Sequence, residues 1–329
     1  LSSIETRSLS KSFGDVRAVD DISFEIGESE IFGFLGPNGA GKSTTMMILT
    51  TLLKPTSGMA LVAGYDVATQ ASKVRENIGY VQQETTVDEY LTGRENLLLQ
   101  ARLNHIDKRC VDGRIDEILD LIELSDKQHE AVITYSGGMR KRLDIAGGLL
   151  HRPRVLFLDE PTVGLDIQTR RKIWDYIRQI HKEHAMTIFL STHYMEEADQ
   201  LCGRVGIVDH GKIQAVDTPA AMKGALGQEI IQIAVDSEPD SVVPAIKNIS
   251  DVKDVRIQDD RITVYAANGT EVIPRIFQIS ADAGIQVNSI SLTQPTLDDV
   301  FVSYTGHELR DGGEFNRAKE HARMRRLRE

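Results

Sequence analysis

The chain has 329 residues, with 38 Lys+Arg against 49 Asp+Glu and a formal net charge of −11, an acidic balance that argues against a duplex nucleic-acid binder with its basic footprint. Hydrophobic residues make up 41% and charged residues 26%, an ordinary globular mix and not a disordered one. No apolar run approaches the ~18 residues of a membrane span, and the opening LSSIETRSLSKSF lacks the apolar core of an export signal. A leading Leu implies that initiating residues lie upstream of this numbering. Cys110 and Cys202 are too few for a disulfide framework or a zinc site, which predicts a reduced, cytosolic setting.

Up to about residue 227, short apolar runs alternate with helical patterns. IFGFLG (31–36), NIGYV (77–81), VLFLDE (155–160) and TIFLST (187–192) read as buried strands. Strands of that kind between helices predict a largely parallel sheet covered on both faces. Thr92 with Glu95 forms a capping box ahead of LLLQARL. Ile115, Ile118, Leu119 and Ile122 repeat at helical spacing, as do Ile173, Ile177 and Ile180 after Asp166. RVGIVD and KIQAV, joined by His210-Gly211, predict an antiparallel hairpin. Thr218-Pro219 predicts a helix start. Beyond Gly227 the pattern becomes strand (229–235), helix (about 240–249), strand (252–257), strand (261–266), helix (270–283) and strand (285–292). That β-α-β-β-α-β order predicts a small ferredoxin-like α+β domain. It divides the chain into 1–227, 228–305 and a charged tail, 306–329. From Glu314 onward the tail reads as a solvated helix or a disordered end rather than a lipid-binding segment.

The strongest chemical signal is Gly36-Pro37-Asn38-Gly39-Ala40-Gly41-Lys42-Ser43, which follows a strand and opens the helical run that starts at Thr44. That context is the one a GxxxxGK[ST] phosphate loop requires. Its glycines let backbone N–H groups and the helix end face phosphate oxygens. Lys42 is placed to reach the β and γ phosphates, and the Ser43 hydroxyl to ligate Mg²⁺. A nucleoside triphosphate is the expected ligand. Asp159 and Glu160 leave the C-terminal edge of a buried strand, where open α/β sheets bind ligands. Asp159 suits the Mg²⁺ shell and Glu160 a general base on the attacking water; ahead of Pro161-Thr162 the same pair also reads as helix-capping acids.

Tyr135-Ser136-Gly137-Gly138-Met139 resembles the LSGGQ signature of ATP-binding cassette (ABC) proteins, and it lies between the phosphate loop and the Asp159-Glu160 strand as in that family. The resemblance extends to Phe13 as the aromatic that stacks on adenine, Gln83 as the glutamine loop, Asp166 in the D-loop Gly164-Leu165-Asp166, and His193 as the switch histidine. It implies an α/β fold, an ABC-type P-loop NTPase domain with a mixed sheet and a helical subdomain over about 88–150. It further implies that two chains sandwich two ATP molecules, the Ser136, Gly137 and Gly138 end of one facing the γ-phosphate held by the other. His193 is then expected to hold the γ-phosphate, the water and Glu160 in register, and Gln83 to sense the metal and a membrane partner. Phe13, Tyr135 and Met139 depart from the common residues, and Gln82 beside Gln83 leaves that assignment open by one position.

VDEYLTGREN (87–96) and PTLDDVF (295–301) look like the ATPase subunits of daunorubicin-resistance-type exporters of the ABC-2 kind. That resemblance implies an ATP-hydrolysing subunit, exporting drugs or lipid-like compounds through a separate transmembrane permease, and peripheral on the inner face of the membrane. Its partner is a second copy or a close relative, with no nucleic acid expected. An importer ATPase with a regulatory C-terminal domain is an alternative, as is a non-transport ABC ATPase acting on ribosomes or DNA. PTLDDVF also reads as a proline-started amphipathic helix that packs Leu297, Val300 and Phe301 on the core. Residues 228–305 alone carry enough apolar strand to form a separable unit.

Overall fold

The computed structural model describes residues 2–227, 229–236, 242–258 and 261–307. The four apolar runs form β3 (Ile31–Leu35), β6 (Ile78–Val81), β7 (Val155–Asp159) and β8 (Thr187–Thr192). With β9 (Arg204–Asp209) and β10 (Lys212–Asp217) they build a six-stranded sheet in the order β10-β9-β3-β8-β7-β6. Its neighbours pair in parallel, except at the β9–β10 hairpin. Parallel strands need crossovers, and these also supply the helices that cover the sheet.

A second, antiparallel sheet has the order β2-β1-β4-β5, from β1 (Ser2–Phe13), β2 (Val16–Gly27), β4 (Ser57–Val62) and β5 (Tyr65–Asp66). The apolar-run reading did not find it, because these strands alternate apolar and polar residues. Its inward residues, among them Ile4, Leu9, Ile22 and Phe24, meet one face of the parallel sheet. There Phe24, Phe32, Phe34, Phe157 and Phe189 form a ring cluster with centroids 5.4–6.2 Å apart, in the range where aromatic pairs attract beyond their buried area. The opposite face carries Leu35, Leu156, Leu158, Ile188 and Leu190, packed with helical residues such as Leu143, Ile173 and Ile177. Alternation along β8 accounts for the two cores, since Phe189 points one way and Ile188 and Leu190 the other.

Helices α1 (Lys42–Leu49), α2 (Ala71–Asn77), α3 (Gly93–Leu103), α4 (Lys108–Leu121), α5 (Gly137–Leu149), α6 (Ile167–His184), α7 (Met195–Leu201) and α8 (Pro219–Leu226) complete this part of the chain. The Thr92–Glu95 capping box starts α3, and Thr218 caps α8 with Pro219 in its first turn. Beyond it come β11 (Glu229–Val235), α9 (Val243–Lys247), β12 (Val252–Gln258), β13 (Arg261–Ala266), α10 (Gly269–Asp282) and β14 (Val287–Thr293). The sheet order β12-β13-β11-β14, antiparallel throughout, is that of a ferredoxin-like unit, with its own core around Ile231, Ile246, Ile262 and Ile276. The expected tail lies outside the described residues from 308 onward.

The last helix, α11 (Leu297–Thr305), departs from the simple division. Leu297, Val300 and Phe301 belong to the core of the large unit, where α11 meets α7, α8 and β10. Its other side touches the small sheet, through Arg256 Nη2 to Ser303 Oγ at 3.1 Å. The two units are therefore fastened by a shared helix, and a cut near Gly227 strips apolar cover from the first. Phe301 is fully buried, so Phe301→Ala is expected to cost about 3–5 kcal/mol. Urea unfolding monitored at Trp174, which sits in the same core, checks this value.

Candidate functional site

The site begins where β3 stops. Gly36 N–H donates to Thr192 O at 3.3 Å, and the loop then turns back through Ala40 N–H to Pro37 O at 3.2 Å. Two glycines are required by geometry. A Cβ on Gly36 stands 2.1 Å from Val208 O, and Gly41 has φ +102° with a Cβ position 2.4 Å from Ala18 O. Gly41 caps α1 without a side-chain acceptor, which leaves the first N–H groups of the helix for an anion. Asn38, Gly39 and Ser43 are exposed, while Pro37 and Thr44 are half-buried.

Lys42 is only 4% exposed and folds back over the loop, with Nζ 2.8 Å from Gly36 O and 3.1 Å from Pro37 O. It also lies 3.2 Å from Glu160 Oε1. Burial pulls the Lys42 ammonium below its usual range, against the opposing pull of Glu160 and Asp159. Asp159 closes β7 and accepts from the Ser191 hydroxyl, with the Ser43 hydroxyl 3.5 Å away. Burial raises the Asp159 carboxyl, and the neighbouring Glu160 charge adds to the rise. Glu160 takes φ +46°, a left-handed conformation that costs energy for a residue with a side chain. Its N–H is held by Ser191, at 3.1 Å from both the backbone and the hydroxyl oxygen. This turn aims the Glu160 carboxylate back at Lys42 and puts Oε2 3.0 Å from His193 Nδ1. Burial pushes the Glu160 carboxyl up, but the His193 and Lys42 contacts outweigh it and hold it below the usual range. Lys42, Ser43, Asp159, Glu160 and His193 thus meet at one sheet edge.

The remaining expected residues lie apart from that cluster. Ser136 caps α5, its Oγ accepting from Met139 N–H at 3.3 Å, and Ser136 and Gly137 are exposed. Gly138 packs on α6, where a Cβ comes 2.4 Å from Thr169 Cγ2. Asp166 caps α6, accepting from Thr169 N–H at 2.9 Å and from its hydroxyl at 2.6 Å, and these bonds hold its carboxyl below the usual range. Phe13 ends β1, half-buried, with Lys11 Nζ 5.1 Å from its ring centre. Gln83 is exposed and borders a cleft of about 210 Å³ that Gly137, Arg140, Lys141, Pro161 and Leu165 also line. Tyr135 is buried, and its hydroxyl donates to Lys127 O at 2.6 Å, which explains how this larger side chain fits the signature turn. Tyr135→Phe is expected to lower stability by about 0.5–1.5 kcal/mol, with ATP affinity unchanged in a binding titration.

Sequence reasoning missed the buried polar partners. Lys141 Nζ, one turn into α5, reaches Gln82 O at 2.7 Å and Gln83 O at 3.3 Å. Asp144 beside it accepts from Thr86 N–H at 3.2 Å and its hydroxyl at 2.6 Å. The start of the signature helix is thereby tied to the glutamine segment. Buried Glu197 accepts from Thr162 Oγ1 at 2.7 Å and Trp174 Nε1 at 3.0 Å. Ser191 carried a usable signal, as a polar residue near the end of an otherwise apolar strand.

Residues 19–163 match the family profile described as "ABC transporter", and residues 218–305 match "ATP-binding protein DrrA1-3-like, C-terminal domain". The chain is 39% identical over 308 residues to the daunorubicin resistance ATP-binding protein DrrA2 of Streptomyces coeruleorubidus, covering 92% of this chain and 95% of that one. It is 36% identical over 309 residues to the Nod factor export ATP-binding protein I of Sinorhizobium fredii (strain NBRC 101917 / NGR234), covering 94% and 87%. Among solved structures it is similar to a dimeric ATP-binding cassette in a post-hydrolysis state bound to ADP and Pi, at 25% identity and TM-score 0.58 over 65% of this chain and 98% of that one.

Proposed function

The chain belongs to the ATP-binding subunits of ABC transporters with a DrrA-like C-terminal domain, and from that premise we infer how its site hydrolyses ATP and what the hydrolysis drives. The observation that carries the reading is Glu160, held between Lys42 and His193 beside Asp159 at the end of β7. On ATP binding, the loop from Gly36 to Gly41 and the first turn through Thr44 wrap the phosphates. The Lys42 ammonium then leaves the Gly36 and Pro37 carbonyls for the β and γ oxygens. Glu160, released from Lys42 and kept ionised, accepts a proton from water attacking the γ-phosphorus, and His193 keeps carboxylate, water and phosphate in line. Phe13 stacks on the base.

The Ser43 hydroxyl and Asp159 carboxylate are oxygen donors brought to one spot, a pair that fits Mg²⁺ and would hold it; Gln83, which the resemblance implies as a further ligand, lies apart from this pair at the neighbouring cleft. An Mg²⁺ ion held by Ser43 and Asp159 would supply charge neutralisation for the phosphates.

The working unit is a dimer in which Ser136, Gly137 and Gly138 of one copy complete the site of the other, with Asp166 at the seam. Among the described residues no helix is long and apolar enough to cross a membrane. The chain's kinship with ABC transporter ATP-binding subunits supports a subunit that acts on separate permease subunits from the inner membrane face, with the unit after residue 227 serving assembly. As an exporter ATPase whose relatives are named for daunorubicin resistance and Nod factor export, it moves drugs or lipid-like amphiphiles. Co-purification with its permease, followed by ATP-driven uptake of an anthracycline into inverted vesicles, tests the cargo. Uptake that is absent, together with tight amino-acid binding to the full chain, returns the importer reading.

A further inference from the structure

Outside the nucleotide site, three ligand-type side chains join segments about a hundred residues apart. Asp209 ends β9, His210 is the first turn residue of the β9–β10 hairpin, and His307 follows α11. One donor atom from each lies within 4.8 Å of the other two. His307 Nε2 is 3.1 Å from Asp209 Oδ2, and His210 Nε2 is 3.8 Å from the same oxygen. Two ligands bound tetrahedrally at ~2.0–2.1 Å stand about 3.3 Å apart, so these spacings nearly match donors around a single ion.

We propose that Asp209, His210 and His307 form a binding site for a divalent transition-metal ion of the Zn²⁺ class, with a fourth position open to water. Two imidazole nitrogens and one carboxylate oxygen select such ions over Mg²⁺ and Ca²⁺, which take oxygen. The site is thus chemically distinct from the Ser43–Asp159 pair. Two of its ligands are fixed by the fold. The Asp209 side chain is 9% exposed at the end of a paired strand. α11 stops at Gly306 with φ +79°, and the Thr305 hydroxyl donates to His307 O at 3.1 Å. The His307 ring stands edge-on to Phe301 at 5.7 Å. His210 is the adjustable ligand, its side chain 87% exposed at φ +47°. The same turn supports the phosphate loop, because Gly211 N–H donates to Ala40 O at 3.0 Å. An ion here fastens the segment after α11 to that support.

The test uses the full chain stripped with a chelator and titrated with Co²⁺, read by the visible d–d absorption of tetrahedral cobalt. One equivalent is expected to bind, with Zn²⁺ displacing it. His210→Ala and His307→Ala are each expected to weaken it by at least the roughly 10–100-fold that loss of a mere supporting partner costs. His184→Ala, at an exposed position on α6, leaves the titration unchanged. His210 is so exposed that its removal leaves the fold intact, which a melting curve verifies. Absence of the band at saturating Co²⁺, or a band that survives both histidine replacements, overturns the site.

Discussion

Glu160→Gln retains ATP binding and loses steady-state hydrolysis by about 10²–10⁴-fold, the range for removal of a general base. The amide has nearly the carboxylate's shape, so the left-handed turn at residue 160 and the Ser191 contact to its N–H survive the change. What disappears is the acceptor for the water proton and the negative partner of Lys42. Losing that partner frees the ammonium for phosphate, so nucleotide affinity is expected to hold or rise. Turnover then stops after closure, and dimers accumulate with ATP and Mg²⁺. Single-turnover phosphate release beside light scattering measures both effects. Near-normal turnover moves the base from Glu160 to another group, and His193 is the next one in contact.

The parts of this site that the sequence made legible are those in which one local pattern forces one conformation. The phosphate loop is fixed by glycines at positions where a Cβ strikes backbone oxygen, as at Gly36 and Gly41. The strands that carry it are apolar on both faces because both faces are covered. The antiparallel β1–β2–β4 sheet was not legible, since strands covered on one face spread their apolar signal over every second residue. Tertiary placement was equally hidden. Lys141 and Asp144 look like surface charges of a helix, and only packing against the glutamine segment shows them buried over Gln82, Gln83 and Thr86. The 297–305 helix reads both as the end of the small domain and as an amphipathic segment that packs back on the ATPase core, and its apolar stripe takes the second course. Periodicity gives the face of a helix and says nothing about its partner.

Ser136→Arg is expected to remove about 10²–10³ or more of ATPase activity, the loss seen when a preorganised donor to developing charge is taken away, while monomers bind ATP as before. In the folded chain Ser136 caps an exposed helix end, where its Oγ accepts from Met139 N–H and its carbonyl from Arg140 N–H, and neither bond involves Lys42, Asp159 or Glu160. An arginine there leaves the phosphate loop of the same chain alone and crowds the surface that must meet the partner's γ-phosphate. It also removes an N-cap worth about 1 kcal/mol, so a melting curve must show the variant folded. Lys42→Ala does the reverse. It removes the charge facing the β and γ oxygens and leaves Glu160 buried with His193 as its remaining partner, so nucleotide binding itself fails. Mixed together, the two variants form heterodimers with a single intact site, built from Lys42 of the Ser136→Arg chain and Ser136 of the Lys42→Ala chain. Partial recovery of hydrolysis on mixing two inactive proteins is a result that only a site shared between chains produces. No recovery, with Ser136→Arg monomers unable to bind ATP by calorimetry, places the signature residues in the site of their own chain.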